Sequence, residues 1–297
     1  MRQLATPMTQ VVVLIACHNR RESTLRCLRS LLGQGGPEVS LRVVLTDDGS
    51  TDGTAHAARE VWPSIHVLQG GGTLFWAKAM ALAASAAGDY DHLLWLNDDV
   101  LLDPGALAQL LETYRSLSDS EAGDSIVVGA LRDPRTGAVT YSGMHRRSRL
   151  RPVSFTTVAP AGEPVQAETM NGNLVLIPRS VVKRVGEIDA DFSHGLADFD
   201  YGLRAGYLGC AIWLAPGTLG TCPRNPTEGG WTDPALPLRK RLRLMCAPKG
   251  LPPASWLRFT RRHAGPMWPV WFVSPYVRLF ATASLNQVRR GTGCRAG

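Results

Sequence analysis

A chain of 297 residues, 44% of them hydrophobic, has enough apolar surface for a sizeable core in one large α/β domain or two small ones. Its six cysteines (17, 27, 210, 222, 246 and 294) form no C-x-x-C pair and no metal-finger spacing, which excludes a zinc finger and predicts reduced thiols in a cytosolic protein. The net charge of +7 is uneven: after Asp233 there are 12 Lys and Arg and no acid, while the other 20 bases face 25 acids.

"MRQLATPMTQ" lacks the apolar core of a signal peptide. "VVVLIAC" (11–17) is too short to span a bilayer and, being β-branched and continuous, predicts a buried parallel strand. "STLRCLRSLLGQ" (23–34) places Leu25, Leu28, Leu31 and Leu32 on one helical face. "LRVVLTDDGS" (41–50) is a second strand running into acids and a glycine turn. "TDGTAHAAREVW" (51–62) opens like a capped helix. "IHVLQ" is a third strand, broken by "GGG", and "LFWAKAMALAASAA" (74–87) is a helix. "HLLWL" (92–96) is a fourth strand, and "PGALAQLLETYRSL" (104–117) a helix buried through Leu107, Leu110, Leu111 and Tyr114.

Four β-then-α units predict an α/β fold, a mostly parallel central sheet flanked by helices. In such sheets ligands bind at the carboxyl ends of the strands. Those ends carry the polar stretches "CHNRRE", "TDDGSTD", "QGGG" and "NDDV". After residue 120 the pattern changes. "SIVVGALRDPRTGAVTYSG" reads as strand, turn, strand; "ETMNGNLVLIPRSVVKRVG" as a short strand and a helix between Pro178 and Gly186. "HGLADFDYGLRAGYLG" puts acids at the start of a further helix.

Asp47, Asp48, Asp98 and Asp99 crowd one sheet edge and repel one another unless something pairs with them. The partner is a basic side chain or a cation, and Mg²⁺ or Mn²⁺ suits such oxygens together with nucleotide phosphates. For Asp47 and Asp48 taken singly, turn capping is an equal reading. The three glycines before Leu74 allow close backbone approach to a phosphate, or simply a turn. Trp76 fills the core or stacks on a ligand, with core filling favoured. Asp198 reads as a reactive general base, and Asp200 with Arg204 as an i,i+4 ion pair or a substrate-positioning group.

The ordered stretches "VVVLIACHNRRESTLRCLRSLLGQ", "VVLTDDGSTDGT", "GGGTLFWAKAM" and "LLWLNDDVLLDPGAL" resemble the family 2 inverting glycosyltransferases of the GT-A fold, in their bacterial rhamnosyltransferase-like branch. The resemblance runs from about residue 10 to about 225. It implies a GT-A catalytic domain over 1–232, with a nucleotide-sugar half at 10–120 and an acceptor and base half at 121–232. It also implies that Ala16, Asn19 and Arg20 border the nucleotide and that Asp48 holds the base. Gly71, Gly72 and Lys78 line the diphosphate or ribose. Asn97 and Asp99 take the D-x-D positions, with Asp99 on Mg²⁺ or Mn²⁺ and Asp98 near ribose and sugar. Asp198 is the catalytic base, and Met170, Asn171, Gly172 and Asn173 face the acceptor, with Asp200 on that side. The departures are Asn97 for the first D-x-D acid, Ala77 and Lys78 where the family often has glycines, and Ala197 where a Glu is usual. "LGTCPRNPTEGGW" also lacks a histidine often found after the base, which leaves the third metal ligand open.

The implied partners are a UDP-, TDP- or GDP-linked sugar and a glycan or lipid-linked acceptor hydroxyl, with inversion, in cell-surface polysaccharide synthesis. The tail, 233–297, joins bases to Trp268, Trp271, Phe272, Tyr276 and Phe280, while Pro266, Pro269 and Pro275 argue against a spanning helix. This suits an anionic membrane surface at the inner face of the cytoplasmic membrane. An equal alternative is an amphipathic helical pair packed on the catalytic domain, and a homodimer contact is a third option. A dehydrogenase is excluded because strand one lacks G-x-G-x-x-G. The acidic crevice argues against nucleic acid. A sugar nucleotidyltransferase, or an inactive nucleotide- or sugar-binding relative, is the alternative.

Overall fold

Strand β1 (Thr9–Cys17) is apolar on both sides because it sits in the middle of a sheet covered on both faces. In the computed structural model, which describes residues 8–118, 124–225 and 227–293, Val12 and Leu14 point into one core and Val11, Val13 and Ile15 into the other. Cys294 and residues 1–7 lie outside the described residues; the five described cysteines are free thiols.

The first half follows the predicted β-then-α order. Helix α1 (Arg21–Leu32) buries Leu25, Leu28 and Leu31, but Leu32 is exposed, one step of the helix beyond the apolar stripe. β2 (Val39–Asp47), α2 (Thr54–Val61), β3 (His66–Gln69), α3 (Phe75–Ser85) and β4 (His92–Leu96) come next. β2 and β4 pair parallel to β1 on either side, and β3 pairs parallel to β2. β5 (Leu101–Leu102) and α4 (Ala106–Ser118) close this half; Tyr114 of α4 is only half-buried and meets His92 edge-on.

The second half is mixed. β6 (Ser125–Arg132) and β7 (Val139–Tyr141) form the predicted strand pair. β8 (Gly143–Arg146), β9 (Phe155–Thr157), β10 (Val165–Ala167) and β11 (Thr169–Met170) are short additions. β12 (Leu174–Pro178) runs antiparallel between β4 and β6. α5 (Arg179–Val185) and α6 (Ala197–Tyr207) precede β13 (Ala211–Thr221), which is parallel to β6 with register shifts around Leu214–Gly220. The main sheet runs β10-β13-β6-β12-β4-β1-β2-β3, and β11-β8-β9 form a small second sheet. α1, α2 and α4 cover one face; α3, α5 and α6 cover the other. Chain direction away from β1 diverges toward β2 on one side and β4 on the other, so a crevice opens at the carboxyl ends of β1, β2 and β4.

The tail forms α7 (Leu238–Cys246), α8 (Pro253–His263) and α9 (Trp268–Gly293), with Pro275 inside α9. Trp256 and Phe259 of α8 are buried in the core shared with α3, α5 and α6. Among the described residues no helix is long and apolar enough to cross a membrane.

Candidate active site

At that crevice Asp47 ends β2 and Asp48 follows it, with different duties. Asp47 accepts the Ser50 N–H at 2.9 Å and shapes the turn, the capping role open to it from sequence. Asp48 accepts the N–H groups of Gly72 (2.8 Å), Leu74 (2.8 Å) and Phe75 (3.0 Å). Its carboxylate thus organises the glycine loop and the start of α3, where Gly72 has φ +85°. His18 Nδ1 donates to the Asp48 carbonyl at 2.5 Å, and Asn19 binds Ser50 and Thr51, tying β1 to the same turn. Asp48→Ala is expected to cost about 2–4 kcal/mol in urea unfolding, because three backbone donors lose a charged acceptor. An unchanged midpoint would mean that the loop is held by something else.

Asp98 and Asp99 follow β4. Arg20, at the start of α1, reaches across to both: Nη1 to Asp98 Oδ1 at 3.0 Å and Nη2 to Asp99 Oδ2 at 2.9 Å. Burial pushes Asp98 up to about 7; Arg20 opposes the rise and Asp99 adds to it. Cys222, just past β13, donates its thiol to Asp99 Oδ1 at 3.4 Å, and burial followed by the Asp99 charge pushes that thiol well up, so it stays protonated. Asn97 is engaged on both sides: its Oδ1 accepts Trp76 Nε1–H at 2.8 Å and its N–H donates to the Asn173 carbonyl at 3.0 Å.

The opposite wall is the 171–173 loop and the start of α6. Asp198 Oδ2 accepts the Gly172 N–H and Oδ1 the Phe199 N–H, both at 2.9 Å. Burial pushes Asp198 up to about 6 although both hydrogen bonds lower it. A Cβ on Gly172 would come within 2.6 Å of the Trp76 ring and 3.2 Å of the Asp198 Cβ, so only glycine lets loop, ring and carboxylate meet.

These walls enclose a cavity of about 430 Å³. Of the residues expected from sequence, Ala16, Arg20, Asp48, Gly72, Asn97, Asp98, Asp99, Asn171, Gly172, Asn173 and Asp198 line it. Asn19, Gly71, Lys78 and Met170 are not on its wall: Gly71 and Lys78 are exposed, Met170 is buried, and Asn19 is spent on the turn. Asp200 is also absent from the wall. It is fully buried and bound by Arg204, Arg262 and His263, so the ion-pair reading is the one observed.

The sequence model of "Glycosyl transferase family 2" matches residues 12–182, more than half of the chain. The chain belongs to this family. An N-acetylglucosaminyl-diphospho-decaprenol L-rhamnosyltransferase of Mycobacterium tuberculosis is 28% identical over 204 residues, 60% of this chain and 64% of its own. The chain thus spans less than two thirds of that relative's length. GalNAc-T7 with UDP, GalNAc and Mn²⁺ is similar in structure, with a TM-score of 0.59 and 17% identity over 74% of this chain and 44% of its own. The mannosyltransferase PcManGT from Pyrobaculum calidifontis, with GDP-Man and Mn²⁺, has a TM-score of 0.57 and 17% identity over 99% of this chain and 77% of its own. These two likenesses place this family 2 chain in the GT-A fold.

The donor set fits a hard cation. Asp99 and Asp98 put two adjacent carboxylates at the cavity with a single guanidinium between them, and Mg²⁺ typically takes one or two carboxylates and completes its shell with substrate phosphates and water. No group of three His, Cys, Asp or Glu side chains among the described residues stands ready to hold a metal alone. Sequence reasoning passed over His18, Phe75, Tyr141, Asn225 and Lys249, all on the wall of the family 2 cavity, and left Trp76 to the core. Trp76 does both: its ring packs edge-on against Trp95 at 5.7 Å and also faces the cavity. The usable signal was position, since Trp76 follows the glycine loop by one helical turn. Lys249 had none, because nothing local to it marks a site.

Proposed function

We propose that the chain transfers a sugar, with inversion, from a nucleoside-diphosphate donor to a hydroxyl of a glycan or lipid-linked acceptor in surface-polysaccharide synthesis. The observation that carries this reading is Asp198, a carboxyl tuned to about 6 on the wall of the cavity that Asp98, Asp99 and Arg20 line opposite. Asp198 is poised to take the acceptor hydroxyl proton as that oxygen attacks the anomeric carbon and the bond to the diphosphate breaks. Its two backbone donors fix the carboxylate's direction. Arg20 offers a permanent positive charge to the departing diphosphate. When bound, Mg²⁺ or Mn²⁺ at Asp99 supplies further charge against that leaving group. Trp76 and Gly172 shape the wall beside Asp198.

The mycobacterial relative, named for rhamnosyl transfer to a decaprenol-linked glycan, supports a lipid-linked acceptor. The UDP and GDP-sugar complexes of the structural neighbours support a nucleotide donor. We take residues 1–232 as the catalytic unit and 233–297 as its extension, which supplies Lys249 to the wall.

Calorimetric titration with UDP, TDP and GDP, each with and without Mn²⁺, tests the reading. One nucleotide is expected to bind tightly with Mn²⁺, and Asp99→Ala to abolish the Mn²⁺-dependent part. No binding by folded protein would remove the transferase reading.

A further inference from the structure

Helix α9 is apolar on two opposite sides. Phe272, Tyr276 and Leu279 lie on the inner side: the first two pack on the core, Leu279 is buried, and the Phe272 carbonyl accepts Trp256 Nε1–H at 3.0 Å. Val270, Val273 and Val277, spaced three and four residues apart, lie on the other, at 55%, 48% and 58% exposure. Met267 precedes them at 58% and Phe280 continues the row at 50%. A helix whose outer stripe is this apolar is shaped for burial, and a contiguous apolar surface of this kind marks an interaction face.

The charge around the stripe decides the occupant. Residues 234–297 contain 12 Lys and Arg and no Asp or Glu. Arg278 is exposed on α9 beside Val277, and exposed Arg261 sits 5.5 Å over the Trp268 ring at the helix start. A second copy of this chain docking through the same face would bring like charges together. An anionic bilayer offers acyl chains to the valines and phosphates to the arginines, with Trp268 at the boundary.

We infer that the outer stripe of α9, Val270–Val273–Val277, with Met267 just before the helix, lies in the interface of an anionic membrane, with Arg261 and Arg278 on the headgroups. The helix then lies along the surface rather than through it. This extension is firmly joined to the catalytic unit: Arg258 and Arg262 of α8 pair with Asp189, and Arg262 and His263 with Asp200. It also contributes Lys249 to the cavity wall, so docking brings the cavity to the membrane surface.

The test is flotation of the full chain with phosphatidylcholine vesicles and with vesicles of phosphatidylcholine mixed with phosphatidylglycerol, at low and high salt. The protein is expected to float with the mixed vesicles only and to be released by salt. Val273→Glu/Val277→Glu is expected to weaken flotation at least roughly tenfold. Arg261→Glu/Arg278→Glu is expected to weaken it without touching the apolar stripe. Melting temperature and nucleotide titration of both variants should match the wild type. That check separates this inference from the transferase reading, since flotation needs no sugar transfer and titration needs no membrane. Absence of flotation, or flotation that neither pair of substitutions alters, overturns the inference. So does a wild-type dimer that the valine variant turns into a monomer, which would assign the stripe to a second copy.

Discussion

Asp198→Asn is expected to lower transfer by about 10²–10⁴-fold while nucleotide affinity stays at the wild-type level. The substitution keeps the side chain's shape, and its carbonyl still accepts the Gly172 N–H, which holds the 171–173 loop beside Trp76, while its NH2 takes the place of the oxygen that accepted the Phe199 N–H. What is lost is the ability to take a proton. The pH dependence gives an independent reading. With Asp198 at about 6, kcat/KM of the wild type should rise with pH below that value and level off above it, since only the ionised carboxylate is a base. The variant should lose this limb. Stability moves the other way: a carboxyl whose folded pKa is raised above its unfolded value of about 3.9 favours folding while protonated in the fold. That contribution is present at low pH and fades as pH rises from about 4 to about 6. The Asn variant is spared the buried charge at pH 7 but loses the acceptor for the Phe199 N–H, so its urea midpoint at pH 7 should stay close to that of the wild type. Wild-type rates in Asp198→Asn, or an unchanged pH limb, would remove Asp198 from the role of base.

The first half of the fold was legible because, apart from the short β3 and β5, each strand there carries an apolar run that gives way to polar or charged residues, and α1 and α4 each carry an apolar stripe. β1 and β4 are of this kind, and their ends located Arg20, Asp98 and Asp99 before any geometry. β13 was not legible. Pro216, Gly217 and Gly220 interrupt its alternation, and its register shifts lie at those residues. β8 to β11 were missed because strands of two to four residues carry no period. Residue roles were harder to read than positions. "DDGST" announces a turn and a ligand site equally well; only the three N–H groups converging on Asp48 show that its carboxylate serves the loop. The sequence posed a choice between a base and a cation for Asp98 and Asp99. Arg20 answers half of it: burial raises Asp98, and one guanidinium shared between two carboxylates does not bring it back down. The tail's packing was one of three alternatives, and its contacts are with the domain through residues such as Trp256 that local pattern could not orient.

The same long-range dependence makes Asp200→Ala the largest expected loss of stability. Asp200 has no exposure, and three donors close on it, Arg204 Nε of its own helix at 2.8 Å and, from distant α8, Arg262 Nη1 and His263 Nε2 at 2.9 Å each. Burial alone would push its pKa up, but the hydrogen bonds from His263, Arg204 and Arg262 outweigh it and hold Asp200 at about 2. A folded value below the unfolded one of about 3.9 stabilises the protein above pH 4 by about 2–3 kcal/mol, a contribution lost as pH falls toward 2. Removing the carboxylate should cost more, about 3–5 kcal/mol at pH 7, because Arg204, Arg262 and the buried His263 lose their shared acceptor and only Arg262 keeps a second carboxylate, Asp189. Urea unfolding of wild type and Asp200→Ala should show that gap at pH 7 and a smaller one at pH 3. Equal midpoints at pH 7 would mean that the network contributes nothing net. The cost should also reach the chemistry. Asp200 lies two residues from Asp198 on α6, and α8 is pinned to α6 through it, so the extension that carries the outer apolar stripe also steadies the helix that aims Asp198.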